Sequence, residues 1–188
     1  PGASGTAEVR LLGDWTANSL DFSSVSLLGG NFLIDGGDGN DTLLGSALAD
    51  RLRGGRGVDV LTGGNAADTF DYSTLKDALW SGGASVERIT DFVVGVDSLE
   101  VNIVPTTMKT LGSIAALSST ALVNLLSSTI FLANDVASFS ISGTGATRTF
   151  LAINDATAGY AICTDALVEI TGFSFAAGAS SLSQISLI

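Results

Sequence analysis

Aspartate recurs at positions 41, 50, 59 and 68, every nine residues, in the stretch GGDGNDTLLGSALADRLRGGRGVDVLTGGNAADTFDY that begins at Gly36. Two residues beyond each stands a large apolar side chain: Leu43, Leu52, Leu61 and Phe70. Carboxylates at a fixed interval on glycine-rich turns are hard oxygen donors, and the chemistry they suit is coordination of a hard cation. Ca²⁺ takes six to eight oxygens at about 2.3–2.6 Å. One turn cannot supply that many, but two stacked turns can, each giving main-chain carbonyls and one carboxylate. Glycine explains itself here: a loop that aims several carbonyls at one point needs backbone angles that other residues adopt only at a cost.

The positioning elements follow from the period. Nine residues are too few for a helix pair. They fit half a coil of a flattened right-handed β-roll, about six residues of turn and about three of strand. The apolar residue at position eight points inward, and successive coils stack these residues into a narrow core that no single unit could build. The preceding unit, residues 27–35, keeps Ile34 at position eight but has Phe32 where the aspartate would be. Units alternate edges, so aspartates two units apart share an edge: Asp41 pairs with Asp59, and Asp50 with Asp68. Two carboxylates in a mostly carbonyl cage suit the weak affinity of extracellular calcium modules, about 10⁻⁴–10⁻³ M.

Composition narrows the partners. The 188 residues carry 19 acidic and 8 basic side chains, a net charge of -11. Nucleic acid is disfavoured because phosphate neutralisation needs clustered Lys and Arg, and an anionic membrane surface is disfavoured for the same reason. There is no histidine, which removes Ser-His-Asp and Cys-His nucleophile systems and the usual histidine-containing zinc sites. Neither HExxH nor G-x-S-x-G occurs. The reading is of a chain that is not itself an enzyme. The single cysteine, Cys163, follows Ala161 and Ile162, so no internal disulfide can form and a small core residue is expected. No run approaches the roughly 20 apolar residues of a membrane helix. The start, PGASGTAEVR, lacks both an initiating Met and a secretory layout, which suggests a piece of a longer protein.

Outside the repeats, residues 1–35 read as short strands, with Leu20, Phe22, Val25 and Leu27 spaced like lead-in coils. VERITDFV reads as one strand, followed by a turn at Gly95 and then SLEV. Leu111, Ile114, Leu117, Leu122 and Leu125 fall at helical spacing and predict an amphipathic helix over 111–127. ASFSIS, RTFLAIN, ALVEITG and QISLI read as strands between polar turns. Trp15 and Trp80 are expected to pack in the core or cap. The fold class is therefore mainly all-β: a right-handed parallel β-roll or β-solenoid, then a β-rich C-terminal cap with one helix. The segments are lead-in coils over 1–35, repeats over 36–71 and a capping region over 72–188.

The repeat tract closely resembles the RTX (repeats-in-toxin) family, whose pattern is G-G-x-G-x-D-x-(large apolar)-x. The units at Gly36 and Gly54 match it fully. The second has Ser46 and Leu48 at two glycine positions, and the fourth has Ala66 at one. The resemblance implies nonapeptide repeats that hold several Ca²⁺ ions. Downstream, ADTFDYST and VERITDFVVGVDSLEV resemble the segment that closes the roll in serralysin-type proteases and related secreted proteins. There, acids of the D-F-x-x-G-x-D pattern often add metal ligands; here these are Asp91 and Asp97, with Glu87 and Glu100 nearby. A plain strand–turn–strand with solvated acids fits the same residues. The implied ligand set is Gly36, Gly37, Asp38, Gly39, Asp41, Asp50, Gly54, Gly55, Arg56, Gly57, Asp59, Gly63, Asn65, Asp68, Asp91 and Asp97. Several of these would act through main-chain carbonyls.

RTFLAINDATAGYAICTDALVEITGF resembles the C-terminal cap of the same families and of bacterial RTX surface proteins. Asp155, Gly159 and Asp165 stand at its acidic turn, where ordinary turn chemistry is the expectation. The final SSLSQISLI reads as a last strand; by resemblance it is also the uncleaved signal for a type I (ABC) exporter. The implied whole is a secreted or cell-surface bacterial module that folds on Ca²⁺ after export and caps a longer parent protein. A calcium-dependent adhesion or surface-layer module, or the tail of a secreted hydrolase or polysaccharide-modifying enzyme, fits the same sequence.

Overall fold

The computed structural model describes residues 8–26, 31–80, 82, 85–104, 108–142, 147–161, 164–175 and 185–188. Cys163 and most of SSLSQISLI lie outside the described residues. The chain passes back and forth between two sheets. β1 (Glu8–Leu12), β3 (Asn31–Asp38), β5 (Arg51–Arg56), β7 (Thr69–Tyr72), β10 (Ser98–Val101) and β16 (Ser186–Leu187) make one six-stranded sheet in that order. β2 (Ser19–Asp21), β4 (Thr42–Leu44), β6 (Val60–Thr62) and β8 (Glu87–Ile89) make the repeat half of an eight-stranded sheet. Every pair among these strands is parallel. This is a β-roll, as the nine-residue period predicts.

Register places the position-eight residues on top of one another. Leu43 pairs with Leu61 and Leu61 with Ile89 in one sheet; Ile34 pairs with Leu52, Leu52 with Phe70 and Phe70 with Leu99 in the other. All seven are fully buried. Removing each from water contributes about 1.5–3 kcal/mol. That apolar ladder offsets the ordering cost of the glycine-rich turns.

The second half of the larger sheet is built differently. β14 (Ala166–Ile170) joins β8 in parallel, and β13 (Arg148–Ile153) and β12 (Val136–Ile141) then continue it antiparallel. One face of these strands, with Val136, Leu151, Ile153, Val168 and Ile170, completes the roll core. The other, with Phe139, Phe150, Ala152 and Leu167, packs on Trp80, Leu122, Leu126 and Phe131. Burial on both faces explains why FLAI in β13 and ALV in β14 read as continuous apolar runs rather than alternating ones. Phe139 and Phe150 stack at 5.3 Å between ring centres. Core residues extend from Ile34 to Ile185 in one cluster, so lead-in, repeat and cap segments share an interior.

Three expectations change. The helix predicted over 111–127 begins as strand: β11 (Met108–Ile114) pairs in parallel with β12, and only α1 (Ser119–Leu125) is helical. Gly112 and Ser113 are weak helix formers, and pairing to β12 outweighs the apolar spacing. The helix starts at Ser118, whose hydroxyl accepts the Ala121 amide at 3.2 Å, a serine N-cap. VERITDFV divides into β8 and β9 (Val93–Val94), and β9 pairs with β15 (Ser174–Phe175) in a separate two-stranded sheet. Trp80 is buried as expected, but Trp15 is 81% exposed at the tip of a turn.

Candidate metal centre

The turns between strands stack along two edges. On the first edge, residues 36–41 lie beside 54–59: Gly37 pairs with Gly55 and Asp38 with Arg56, and the Gly39 amide donates to the Arg56 carbonyl at 2.8 Å. On the second edge, 45–50 lies beside 63–68, with the Gly45 amide on the Thr62 carbonyl at 2.9 Å. Coils approach so closely that a Cβ on Gly55 would lie 1.8 Å from the Gly37 carbonyl oxygen. Only glycine fits there.

Asp41, Asp59 and Asp68 each accept the amide of the equivalent residue one coil earlier, and Glu87 and Asp97 continue the pattern. On the first edge Asn18 donates to Asp41 Oδ1 at 2.7 Å, Asp41 to Asp59 Oδ1 at 2.7 Å, and Asp59 to Glu87 Oε2 at 2.9 Å. On the second, Asp50 donates to Asp68 Oδ1 and Asp68 to Asp97 Oδ1, both at 2.9 Å. Asp41, Asp50, Asp59, Asp68, Glu87 and Asp97 are all buried. The pairs Asp41–Asp59 and Asp50–Asp68 are thus adjacent rungs. Asp91 spans the second edge differently: its two oxygens accept the amides of Gly63 at 2.9 Å and Gly64 at 2.8 Å. Asp97 also accepts the Val93 amide on Oδ2 at 2.6 Å. Asp38, Arg56, Gly57 and Asn65 lie at the turn tips, with the side chains of Asp38, Arg56 and Asn65 exposed.

Two rungs escaped the nine-residue reading. Asn18 and Glu87 occupy the position-six place although insertions of irregular length separate them from the repeats. The signal was present: Asn18–Leu20 and Glu87–Ile89 keep the two-residue spacing of Asp41–Leu43, and Gly13 opens the Asn18 turn as Gly36 opens the next.

Stacking carboxylates raises their proton affinity. Burial, opposed in part by the Asp41 amide, pushes Asp59 up to about 7, with the Asp41 charge adding to the rise. Burial likewise pushes Asp68 up to about 7, with Asp97 and Asp50 adding. Glu87 lies well above the ordinary carboxylate range, from burial and then from the Asp59 charge. Asp41 and Asp97 are also raised, burial leading. Like charges one rung apart disfavour joint ionisation, and a dication between them would remove that penalty.

The donor set fits such an ion. Oδ2 of Asp41 and Oδ2 of Asp59 are buried and have no hydrogen-bond partner, a costly condition for a carboxylate oxygen. A Cβ built on Gly36 would fall 2.4 Å from Asp41 Oδ2 and 2.6 Å from the Gly54 carbonyl; one on Gly54 would fall 2.3 Å from Asp59 Oδ2. These oxygens therefore line a cradle kept open by the lack of side chains. Among the described residues no three acidic, cysteine or histidine side chains converge on one point, so main-chain carbonyls would complete any shell. Carboxylate and carbonyl oxygens alone are a calcium-type set.

A two-sheet parallel coil whose glycine–aspartate turns stack along both edges defines the class: an RTX β-roll. Residues 17–172 match the family model described as Peptidase M10 serralysin C terminal, and the chain belongs to that family, whose RTX-type repeats bind Ca²⁺. The solution structure of the AlgE6R2 subunit from the Azotobacter vinelandii mannuronan C5-epimerase is similar in fold. It has a TM-score of 0.51 and 24% identity, over 97% of this chain and 94% of that one. No curated protein matches the chain. Among the described residues no helix is long and apolar enough to cross a membrane.

Proposed function

We propose that this chain is a non-catalytic calcium-binding module that orders on Ca²⁺ outside the cell and caps a longer secreted bacterial protein. The unpartnered, buried Oδ2 atoms of Asp41 and Asp59 carry the reading: a folded state that strands two carboxylate oxygens favours a state in which they have a cation. The ligands would be the position-six carboxylates Asp41, Asp50, Asp59 and Asp68, with carbonyls of the turns opened by Gly36, Gly54 and Gly63, and with Asp91 and Asp97 closing the last turn. Ca²⁺ supplies a hard dication at each such place; the chain's own residues hold the turns in register through the amide-to-carboxylate ladder.

Where free Ca²⁺ is scarce, the carboxylates repel and the glycines resist ordering, so the chain stays open and suited to a type I exporter. Outside, an ion that binds only the folded form stabilises it by mass action, about 2.7 kcal/mol at a hundredfold excess over Kd. The C-terminal strand fits this order of events. β16 adds to β10, with the Val101 amide on the Ile188 carbonyl at 2.9 Å and the Ile188 amide on the Leu99 carbonyl at 3.0 Å. A tail free in the open chain would become the closing strand once the roll forms. Circular dichroism and thermal melts in EDTA and in about 10 mM Ca²⁺ test the proposal: a gain of β signal and of Tm is expected, and identical curves would overturn it.

A further inference from the structure

The roll is closed at one end and open at the other. At the closed end Leu187 of β16 pairs with Leu99, and Ile185 is buried in the same core. At the other end β1 and β2 are, among the described residues, the outermost strands of their sheets. The Gly13 amide donates to the Asp35 carbonyl at 2.7 Å, the Phe22 amide to the Leu44 carbonyl at 2.8 Å, and the Thr42 amide to the Asn18 carbonyl at 2.9 Å. Successive residues of a strand offer their main-chain groups to opposite sides. Those of Arg10, Leu12, Ser19 and Asp21 therefore face outward from the end of the roll. The apolar ladder also stops uncovered. Leu11 pairs with Ile34 and Leu20 with Leu43. Ile34 and Leu43 are fully buried, whereas Leu11, Leu20 and Phe22 are only half-buried, and Val9, Leu12 and Val25 are exposed. The carboxylate rungs stop one coil sooner. Asn18 and Phe32 hold the position-six places at this end, and Asn18 Oδ1 accepts the Asp14 amide of its own turn at 2.8 Å.

We infer that this end of the roll is a docking face for one further parallel β-coil, free of calcium, supplied by the part of the longer protein that precedes Pro1. The inference rests on the proposal that the chain caps a longer protein, and names the face and the partner by which it does so. An unpaired strand edge is a template for another strand, and two such edges on one end take a coil rather than a single strand. The coil contact repeats down the roll. What covers Leu11 and Leu20 is therefore what those two place on Ile34 and Leu43: an inward apolar pair on two parallel strands. Residues 1–7 are fewer than the two nine-residue units that make a coil. A second copy fits less well. A two-fold axis between two such ends sets the strands antiparallel, unlike the pairs of the roll, and the far end of a copy is occupied by β16. With Asn18 and Phe32 in place of acids, the joint lacks the paired carboxylates of the lower rungs, so strand pairing and apolar contact hold it.

Hydrogen exchange in Ca²⁺, comparing the 188-residue chain with the longer polypeptide that continues it before Pro1, tests this without any variant. In the longer polypeptide the amides of Arg10, Leu12, Ser19 and Asp21 should exchange at least about tenfold more slowly. Equal rates in the two would overturn the inference. So would slow exchange of the four amides in the 188-residue chain together with a dimer in sedimentation, which would put a second copy on the face. A crystal structure of the longer polypeptide grown with Ca²⁺ should show parallel strands beside β1 and β2. An ion bound between the 13–18 turn and the turn stacked on it would count against a calcium-free coil. Circular dichroism of the same samples separates the two readings. Ca²⁺-induced ordering with unchanged exchange at the four amides rejects the docking face alone; slowed exchange with no effect of Ca²⁺ on ordering rejects the calcium reading alone.

Discussion

The amide of Asp41 donates to Oδ1 of Asp59 at 2.7 Å although the two residues are 18 apart in sequence. The sequence repeats every nine residues, but the structure repeats every two units, because alternate turns lie on opposite edges. Asp41, Asp59 and Asp68 therefore each do two things with two oxygens. Oδ1 holds the preceding coil in register. Oδ2 faces the glycine cradle, and at Asp41 and Asp59 it has no protein partner.

Stability without Ca²⁺ should fall as pH rises. Asp59 and Asp68 stand at about 7 in the folded chain, against about 3.9 for aspartate in an unfolded one. Between those values the folded state holds protons that the unfolded state has released, so raising pH favours unfolding. The loss runs from about pH 4 to about pH 7 and then levels off. Asp14 and Asp21, held below their ordinary value by the hydroxyls of Thr16 and Ser23, titrate beneath this window and do not cancel it. Ca²⁺ binding requires the ionised carboxylates, so apparent affinity should rise over the same range. Melting curves at pH 5, 6, 7 and 8 in EDTA and in Ca²⁺ check both; a cation-free Tm that climbs with pH is the contrary result.

Ala66 sits at φ 73°, at the unit position where Gly39 and Gly57 have φ 123° and 148°. A side chain in the left-handed region costs about 1–2 kcal/mol, and glycine returns part of that through its freer unfolded state. Ala66→Gly should stabilise the protein by about 1 kcal/mol net, a rise of about 2–4 °C in Tm for a chain of this size. Calorimetry decides; a drop in Tm would mean that the alanine is not strained.

Leu61 lies between Leu43 and Ile89 in the apolar ladder and is fully buried. Leu61→Ala should cost about 2–5 kcal/mol and, because binding and folding are linked, should raise the Ca²⁺ concentration needed to fold. Val123 is 53% exposed on α1, and Val123→Ala should stay within about 0.5 kcal/mol. Urea unfolding in saturating Ca²⁺ compares them.

Gly55→Ala places its Cβ 1.8 Å from the Gly37 carbonyl oxygen at φ 99°, whereas at Gly112 an added Cβ meets nothing within 4 Å. The first change should force two coils apart and abolish or sharply weaken Ca²⁺-induced ordering; the second should leave it intact. Circular dichroism titrations of the two variants side by side would show it, and near-normal ordering of the Gly55 variant would contradict the tight stacking.

The roll was legible because one local rule, repeated, implies a non-local arrangement. Asp at position six and a large apolar residue at position eight set turn, strand and inward face together, and Leu43, Leu52, Leu61 and Phe70 are all buried as that rule requires. Where the rule lost its period it was harder to see: Asn18 and Glu87 keep the spacing to Leu20 and Ile89 but not the interval to their neighbours. The stretch 111–127 misled because apolar residues at helical spacing also serve the end of a strand with a short helix after it; pairing with β12, remote in sequence, decided between them.

Sequence alone determined the coil, the apolar ladder and the carboxylate spacing, since each depends on residues only a few positions apart. Tertiary structure decided which carboxylate oxygens lack a partner, that Trp15 faces solvent, and that β16 closes against β10. Those outcomes depend on which groups distant segments bring within hydrogen-bonding reach. Spacing along a chain says nothing of whether an oxygen has already been claimed.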